Sequence, residues 1–158
     1  MERYNKKVLF NIFSVVFIFL LSNSLVYSHC EIPCGIYGDK AQVKAIHQHI
    51  ETISKSIKMI KLLSTQKEKN YNQLIRWIMN KEEHAKKIQE IVHQYFMTQR
   101  IKPKDASNKH EYKKYIQKLT LLHKMLIYAM KTKQNIDFKY TKKLHDTLVE
   151  FSKIYFSK

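Results

Sequence analysis

The sequence is poor in the residues that build tight turns and covalent cross-links. Its 158 residues include only 2 glycines, 2 prolines and 2 cysteines, and 13 acidic residues stand against 29 basic ones. So few turn-forming residues exclude the many hairpins of a sandwich or barrel and a glycine-rich nucleotide-binding loop. Hydrophobic residues make up 44% of the chain, which is too many for a disordered basic tail and enough for one core. The composition therefore predicts one all-α domain built from long helices.

The first 28 residues have the order of a secretory signal peptide. A short basic segment precedes the uncharged apolar run VLFNIFSVVFIFLL, at residues 8–21. This run is short for a membrane-spanning helix and no stop-transfer pattern follows it, so a permanent anchor is the less favoured alternative. Val26 and Ser28 fit the positions three before and one before a cleavage site. Cleavage by a maturation protease would make His29 the first residue of a periplasmic or secreted chain that meets the membrane only through its signal peptide.

Apolar residues recur at alternating spacings of three and four in four later stretches, which predicts a four-helix bundle over residues 39–158. Asp39 and Gln42 form a candidate capping pair for the first helix. The second helix is predicted to begin near Thr65 and to stop before Pro103, and residues 99–109 are predicted to be a loop. The predicted core positions are, helix by helix, Val43, Ile46, Ile50, Ile53, Ile57 and Ile60; Leu74, Ile78, Ala85, Ile88, Val92, Tyr95 and Phe96; Tyr112, Tyr115, Leu119, Leu122, Leu126 and Ala129; and Leu144, Leu148, Phe151 and Tyr155.

A short head, residues 29–38, separates the signal peptide from the first helix. It reads HCEIPCGIYG and contains both cysteines, both glycines and one of the two prolines, a concentration that packing does not explain. Six of its residues match the H-C-x-x-P-C-G-x-Y hook of the nickel superoxide dismutases: His29, Cys30, Pro33, Cys34, Gly35 and Tyr37. The sequence therefore resembles that family, and residues 29–38 are interpreted as an N-terminal nickel hook.

The donor atoms of this head suit a metal ion that prefers a square plane. After cleavage, His29 offers an α-amine and an imidazole, Cys30 offers a thiolate and its backbone nitrogen, and Cys34 offers a second thiolate. An amine, an amide nitrogen and two thiolates fit Cu(II) or Ni(II) rather than tetrahedral zinc, with the imidazole as an axial ligand. Two thiolates and a deprotonated peptide nitrogen push electron density onto the metal, which makes the higher oxidation state accessible to one-electron catalysis.

The resemblance to the nickel superoxide dismutases implies a reaction and a set of roles. Two superoxide anions are converted to oxygen and hydrogen peroxide while one nickel ion per chain cycles between Ni(III) and Ni(II). By resemblance, His29, Cys30 and Cys34 are the metal ligands, and His29 and Tyr37 are the catalytic residues, with Tyr37 gating access and ordering water. Glu31 stands where the family often has an aspartate, and Lys102 is a candidate for guiding the anion. The family also implies a homo-oligomer of six bundles.

The sequence leaves other function classes open. The same head could bind copper or nickel in a secreted helical protein without turnover, or its cysteines could pair in a basic helical interaction protein. A di-iron site, suggested by the E-x-x-H step of Glu90 and His93, lacks the second such step that it needs. The formal net charge of +16 attracts superoxide, nucleic acid and anionic lipid alike. No recognition motif singles out nucleic acid, so charge alone identifies no partner.

Overall fold

The computed structural model describes residues 38–157, and within them the chain forms four long α-helices and no strand. Helix α1 spans Asp39–Ser64, α2 spans Tyr71–Glu90, α3 spans Lys109–Gln134 and α4 spans Phe138–Phe156. Helix α2 continues directly into a π-helix, Ile91–Arg100, which is called the π segment below. The predicted all-α fold with four helices is confirmed. Among these described helices, none is long and apolar enough to cross a bilayer.

The four helices form a ring in which each packs against two others. Helix α1 packs against α2 and α4, and α3 packs against the same two helices. At the start of α1, Asp39 accepts a hydrogen bond from Arg100, the last residue of the π segment. Further along α1, Ser56 accepts a hydrogen bond from Asn80, in the middle of α2. Contacts thus run in opposite directions along neighbouring helices, which gives the up-down-up-down arrangement of an antiparallel bundle.

The core follows the predicted spacing in most of the chain. Its fully buried residues include Ile46, Ile53 and Ile57 of α1, and Leu122 and Phe151 of the second half of the chain. The first half of α2 departs from the prediction.

None of the first ten residues of α2 is buried, and Ile78 is 40% exposed. Tyr112, near the start of α3, is also exposed. Spacing indicates an apolar stripe, but it does not say whether another helix of the same chain covers that stripe.

Helix α1 begins at Asp39 as predicted, but the predicted cap of α1 and the predicted start of the second helix are wrong. Gly38 is the N-cap of α1 and no side chain caps this end, because the Asp39 carboxylate is bound elsewhere. Thr65, predicted to begin the second helix, instead ends α1, where its N–H and its hydroxyl both donate to the carbonyl oxygen of Leu62. Helix α2 begins six residues later, where the side chain of Asn70 accepts the N–H of Gln73 at 3.1 Å.

A buried lysine joins α2 to the end of α3. Lys81 is only 3% exposed, and its Nζ donates to the carbonyl oxygens of Thr132, at 2.6 Å, and Lys133. Glu82 accepts a third bond from the same nitrogen at 3.0 Å. The last carbonyl groups of a helix lack partners within the helix and carry partial negative charge, so a cation stabilises them. Lys81 therefore closes the C-terminus of α3 from a neighbouring helix.

Candidate functional site

The predicted hook residues His29, Cys30, Cys34 and Tyr37, together with Glu31, lie outside the described residues, as does the whole predicted signal peptide. The described chain begins at Gly38, the residue directly after Tyr37. The structure therefore describes the start of the bundle, Gly38 and Asp39, which directly follows the predicted hook and is called the base of the hook below.

Gly38 adopts a backbone conformation that glycine favours. Its φ is 72° and its ψ is 140°, and a Cβ atom built at this position would meet nothing within 4 Å. The constraint is therefore one of the backbone itself, because residues with a Cβ atom rarely adopt a positive φ. This glycine sets the direction in which the chain enters α1.

Asp39, the next residue, accepts three hydrogen bonds from two other elements. Its Oδ1 accepts the Tyr95 hydroxyl at 2.7 Å and the Arg100 Nε–H at 2.7 Å. Its Oδ2 accepts the Tyr155 hydroxyl at 2.8 Å. The guanidinium of Arg100 also lies 5.3 Å from the centre of the Tyr95 ring. These four residues are called the Asp39 cluster below, and they tie the start of α1 to the π segment and to the end of α4.

The π segment is what brings Tyr95 and Arg100 to the same carboxylate oxygen. In an α-helix, residues five apart point in directions that differ by about 140°. In a π-helix, i→i+5 hydrogen bonds close each turn, so residues five apart lie on one side. The N–H of Ile101 donates to the carbonyl oxygen of Phe96 at 2.9 Å, which continues this pattern to the end of the segment.

The cluster shifts the protonation of its own members. Burial alone would raise the pKa of Asp39, but hydrogen bonds from Arg100, Tyr95 and Tyr155 outweigh it and lower this pKa below 3.8. Burial, the bond to Asp39 and its negative charge raise the pKa of Tyr155 to about 12 and also raise that of Tyr95. At neutral pH the cluster is therefore a carboxylate surrounded by one cation and two neutral hydroxyl donors.

An aromatic layer connects the cluster with the core. Tyr95, Phe96, Phe151 and Tyr155 form a chain of rings whose successive centroids are each 5.1 Å apart. The first two pairs meet edge to face and the last pair is stacked, geometries that aromatic rings prefer. The hydroxyls of both tyrosines thus reach Asp39 from rings that are fixed by packing.

A basic cleft of about 200 Å³ opens beside the cluster and shares Arg100 and Tyr155 with it. Lys102, predicted to guide an anion, lines this cleft. The remaining lining residues are Ile101, Lys104, Glu111, Lys114, Tyr115 and Lys118. Five basic residues thus line the cleft with one acidic residue, Glu111, whose ion pair with Lys114 is 4.0 Å long, and Arg100 is also paired with Asp39 at 2.7 Å. The cleft therefore presents excess positive charge next to the base of the hook.

In residues 38–157, no group of three or more histidine, cysteine, aspartate or glutamate side chains is placed to hold a metal ion. Glu90 and His93, the step considered for a di-iron site, thus belong to no such cluster. In the described part of the chain, the candidate site consists of the Asp39 cluster and the basic cleft.

The family model described as nickel-containing superoxide dismutase matches residues 24–158, a range that includes the predicted hook residues and all four described helices. The chain belongs to the nickel-containing superoxide dismutase family. It is an oxidoreductase that acts on superoxide, and nickel is its cofactor. Searches of curated proteins and of solved structures found no match.

Proposed function

We propose that nickel is held by the first residues of a mature chain that begins at His29, with His29, Cys30 and Cys34 as its ligands. The observation that carries this proposal is the family match, whose range includes all three residues. Their donor set of an amine, an amide nitrogen, two thiolates and an imidazole fits Ni(II) chemically. Nickel bound there supplies the one-electron oxidation and reduction that convert superoxide to oxygen and hydrogen peroxide.

The residues of the chain bind the ion and control what reaches it. The α-amine of His29 and the thiols of Cys30 and Cys34 bind nickel in their deprotonated forms, so binding releases protons. By resemblance, Tyr37 orders water and limits access to the ion. Tyr37 lies two residues before Asp39, whose three hydrogen bonds fix the start of α1.

The basic cleft supports the attraction of superoxide to this end of the bundle. Lys102 and Lys118 line it, and the Nζ of Lys118 lies 5.5 Å from the centre of the Tyr155 ring. A concave surface of one charge raises the local concentration of an oppositely charged substrate. We assign Lys102 to this role.

The mature N-terminus decides between this proposal and its alternatives. The form that begins at His29 is compared with one that retains Ser28, and nickel content and superoxide dismutation are measured for both. We expect about one nickel ion per chain and activity only in the first form, because an added residue converts the α-amine into an amide. Equal helical content by circular dichroism is the control, and full activity of the extended form would overturn the proposal.

The two cysteines provide an independent test. Cys30→Ser and Cys34→Ser should each abolish nickel-dependent turnover and leave the helical content unchanged, because the buried residues of α1–α4 hold the bundle together. If the native chain binds copper or nickel at this head and shows no turnover, the alternative without catalysis is the correct one. If the variants unfolded instead, the result would show that the hook has a structural role.

We also propose that residues 1–28 are a signal peptide, removed by a maturation protease, and that the enzyme works in the periplasm or outside the cell. The apolar run at residues 8–21 and the hook that begins at His29 support this proposal. Sequencing the N-terminus of protein from separated cell fractions tests it. Active protein that starts at Met1 in the cytoplasm would overturn both parts.

By resemblance to its family, we propose that the chain assembles as a homohexamer. Tyr71, Ile75 and Met79 support an interface on α2, because they lie at successive turns and are 66%, 54% and 64% exposed. The mass of the nickel-loaded enzyme, measured by light scattering, tests the number of chains. Ile75→Lys should weaken the assembly if this face takes part, whereas Lys58→Glu, on an exposed position of α1, is the control.

A further inference from the structure

Two histidines from neighbouring helices, His49 of α1 and His84 of α2, meet on the bundle. The Nδ1 atoms of His49, on α1, and His84, on α2, are 2.9 Å apart. Their ring centroids are 4.9 Å apart and the rings are inclined by 70°. His49 lies ten residues after Asp39, which is about 15 Å along the helix axis. The pair is therefore separate from the base of the hook.

The spacing of the two nitrogens matches one kind of metal coordination. A first-row metal binds imidazole nitrogen at about 2.0–2.1 Å, so two nitrogens at a right angle around it lie about 2.9 Å apart. A tetrahedral angle with the same bond lengths requires about 3.3 Å. We propose that His49 and His84 form a second metal site, which binds Cu(II) or Ni(II) through their two Nδ1 atoms with water completing the coordination.

The backbone around the pair is fixed by the core. On α1, Ile46 and Ile53 flank His49 and are fully buried; on α2, Ala85 and Ile88 follow His84 and are fully buried too. Ligands on packed helices hold their separation better than ligands on loops, so little order is lost when the metal binds.

The protonation state of the pair suits a metal. In the metal-free pair, one Nδ1 donates a hydrogen bond to the other, and this bond holds the two rings together. Burial lowers the pKa of both rings, and the charge of Lys87 lowers both further. Both imidazoles are therefore neutral at neutral pH. On binding, the metal replaces the shared Nδ1 proton, which passes to water, and water returns a proton to Nε2 of the same ring. The ring thus stays neutral by changing its tautomer, and no net proton is released.

The neighbouring charges set the strength of this site. Lys87 opposes a bound cation, and Glu83, which lies 3.6 Å from the Lys87 Nζ, offsets part of that charge. The described residues offer no third ligand. Removing the lysine charge in Lys87→Gln should therefore strengthen metal binding, whereas a merely structural pair of histidines would not respond in this way.

A second pair of histidines provides a matched control. His47 of α1 and His145 of α4 have ring centroids 5.4 Å apart, but their Nδ1 atoms contact Glu51 at 3.7 Å and Asp146 at 3.6 Å instead of each other. This pair has the same residue types and also joins two helices. It lacks the short distance between nitrogens that carries the proposal.

The test uses the mature nickel-loaded enzyme with ¹⁵N-labelled histidines. Micromolar Cu(II) is added below one equivalent, and the ring signals of each histidine are followed by NMR. We expect paramagnetic broadening of His49 and His84 first, loss of this effect in His49→Gln and in His84→Gln, and its retention in His145→Gln. Paramagnetic resonance of the Cu(II) should show coupling to two nitrogens, and Lys87→Gln should tighten binding.

Simultaneous broadening of all exposed histidines, or unchanged binding in His84→Gln, would overturn the proposal. Circular dichroism of each variant excludes loss of fold as the cause. The result does not depend on the hook, because the ring signal of His29 reports that site separately. One titration thus distinguishes a failure of the proposed nickel site at His29 from a failure of the proposed second site at His49 and His84.

Discussion

Removing the Asp39 carboxylate should destabilise the bundle far more than removing an exposed one. In Asp39→Ala, the hydroxyls of Tyr95 and Tyr155 and the guanidinium of Arg100 lose their common acceptor. A hydrogen bond to a charged group contributes about 1.5–3 kcal/mol, but three bonds to one carboxylate are not additive. The Asp39 and Arg100 side chains are also 23% and 32% exposed, so water replaces part of the loss. We expect the free energy of unfolding to fall by about 3 kcal/mol.

The pH dependence of this loss gives an independent check of its cause. The pKa of Asp39 is lowered in the folded chain relative to its ordinary value of 3.8. A carboxyl group whose pKa is lowered in the folded chain stabilises the fold at pH values above its ordinary pKa. This stabilisation is lost as the pH falls through the pKa of the folded chain. The stability difference between the native chain and Asp39→Asn should therefore be constant near neutral pH and should narrow as pH falls below 3.8.

Urea denaturation followed by far-ultraviolet circular dichroism measures both effects. Asp146→Ala is the control, because Asp146 is an exposed residue whose ion pair with Lys142 is 2.9 Å long. An exposed ion pair of this kind contributes about 1 kcal/mol or less. A loss of stability in Asp39→Ala no larger than that in Asp146→Ala would refute the role of the Asp39 carboxylate. So would a difference in unfolding free energy between the native chain and Asp39→Asn that persists unchanged in acid.

Three further changes test other parts of the structure. Lys81→Met leaves two carbonyl oxygens at the end of α3 without their donor and should cost about 2–3 kcal/mol in the same denaturation assay, whereas the exposed Lys58→Met should cost little. Gly38→Ala forces a side chain into φ 72° and should cost about 1–2 kcal/mol, which a lowered melting temperature would report and an unchanged one would contradict. Lys102→Gln should lower kcat/KM for superoxide about two- to threefold at low ionic strength and less at high ionic strength. An equal loss at all salt concentrations would assign Lys102 a role other than attraction.

Much of the fold could be predicted because the apolar spacing of α1, α3 and α4 is that of helices packed side by side. The start of α2 could not. Thr65 with Glu68 and Asn70 with Gln73 are both plausible cap sequences, and only the folded chain shows that Asn70 is used. A cap sequence states where a helix can begin, and the end of the preceding helix decides between two such positions.

The hook is a prediction from residue types, on residues outside those that the structure describes. The cluster at its base could not be predicted from the sequence. The Asp39 cluster depends on the π segment, and helical periodicity places Tyr95 and Arg100 on different faces. One signal was available in the sequence. Arg100 is one of three arginines among 29 basic residues, and arginine is favoured over lysine where a fixed hydrogen-bond geometry is required.

The Asp39 cluster leads to a last prediction, about how the hook and the bundle influence each other. The start of α1 is held by the π segment and by α4, so local opening of either element releases the residue from which the hook departs. If nickel binding orders the hook on this base, the bound form stabilises the closed cluster by mass action. Hydrogen exchange of the π segment should then be slower in the nickel-loaded enzyme than in the metal-free one. In Asp39→Asn this difference should shrink, because the connection between hook and segment is weakened. Exchange rates that do not respond to nickel in the native chain would show that the hook binds its metal independently of the bundle, and the cluster would then serve stability alone.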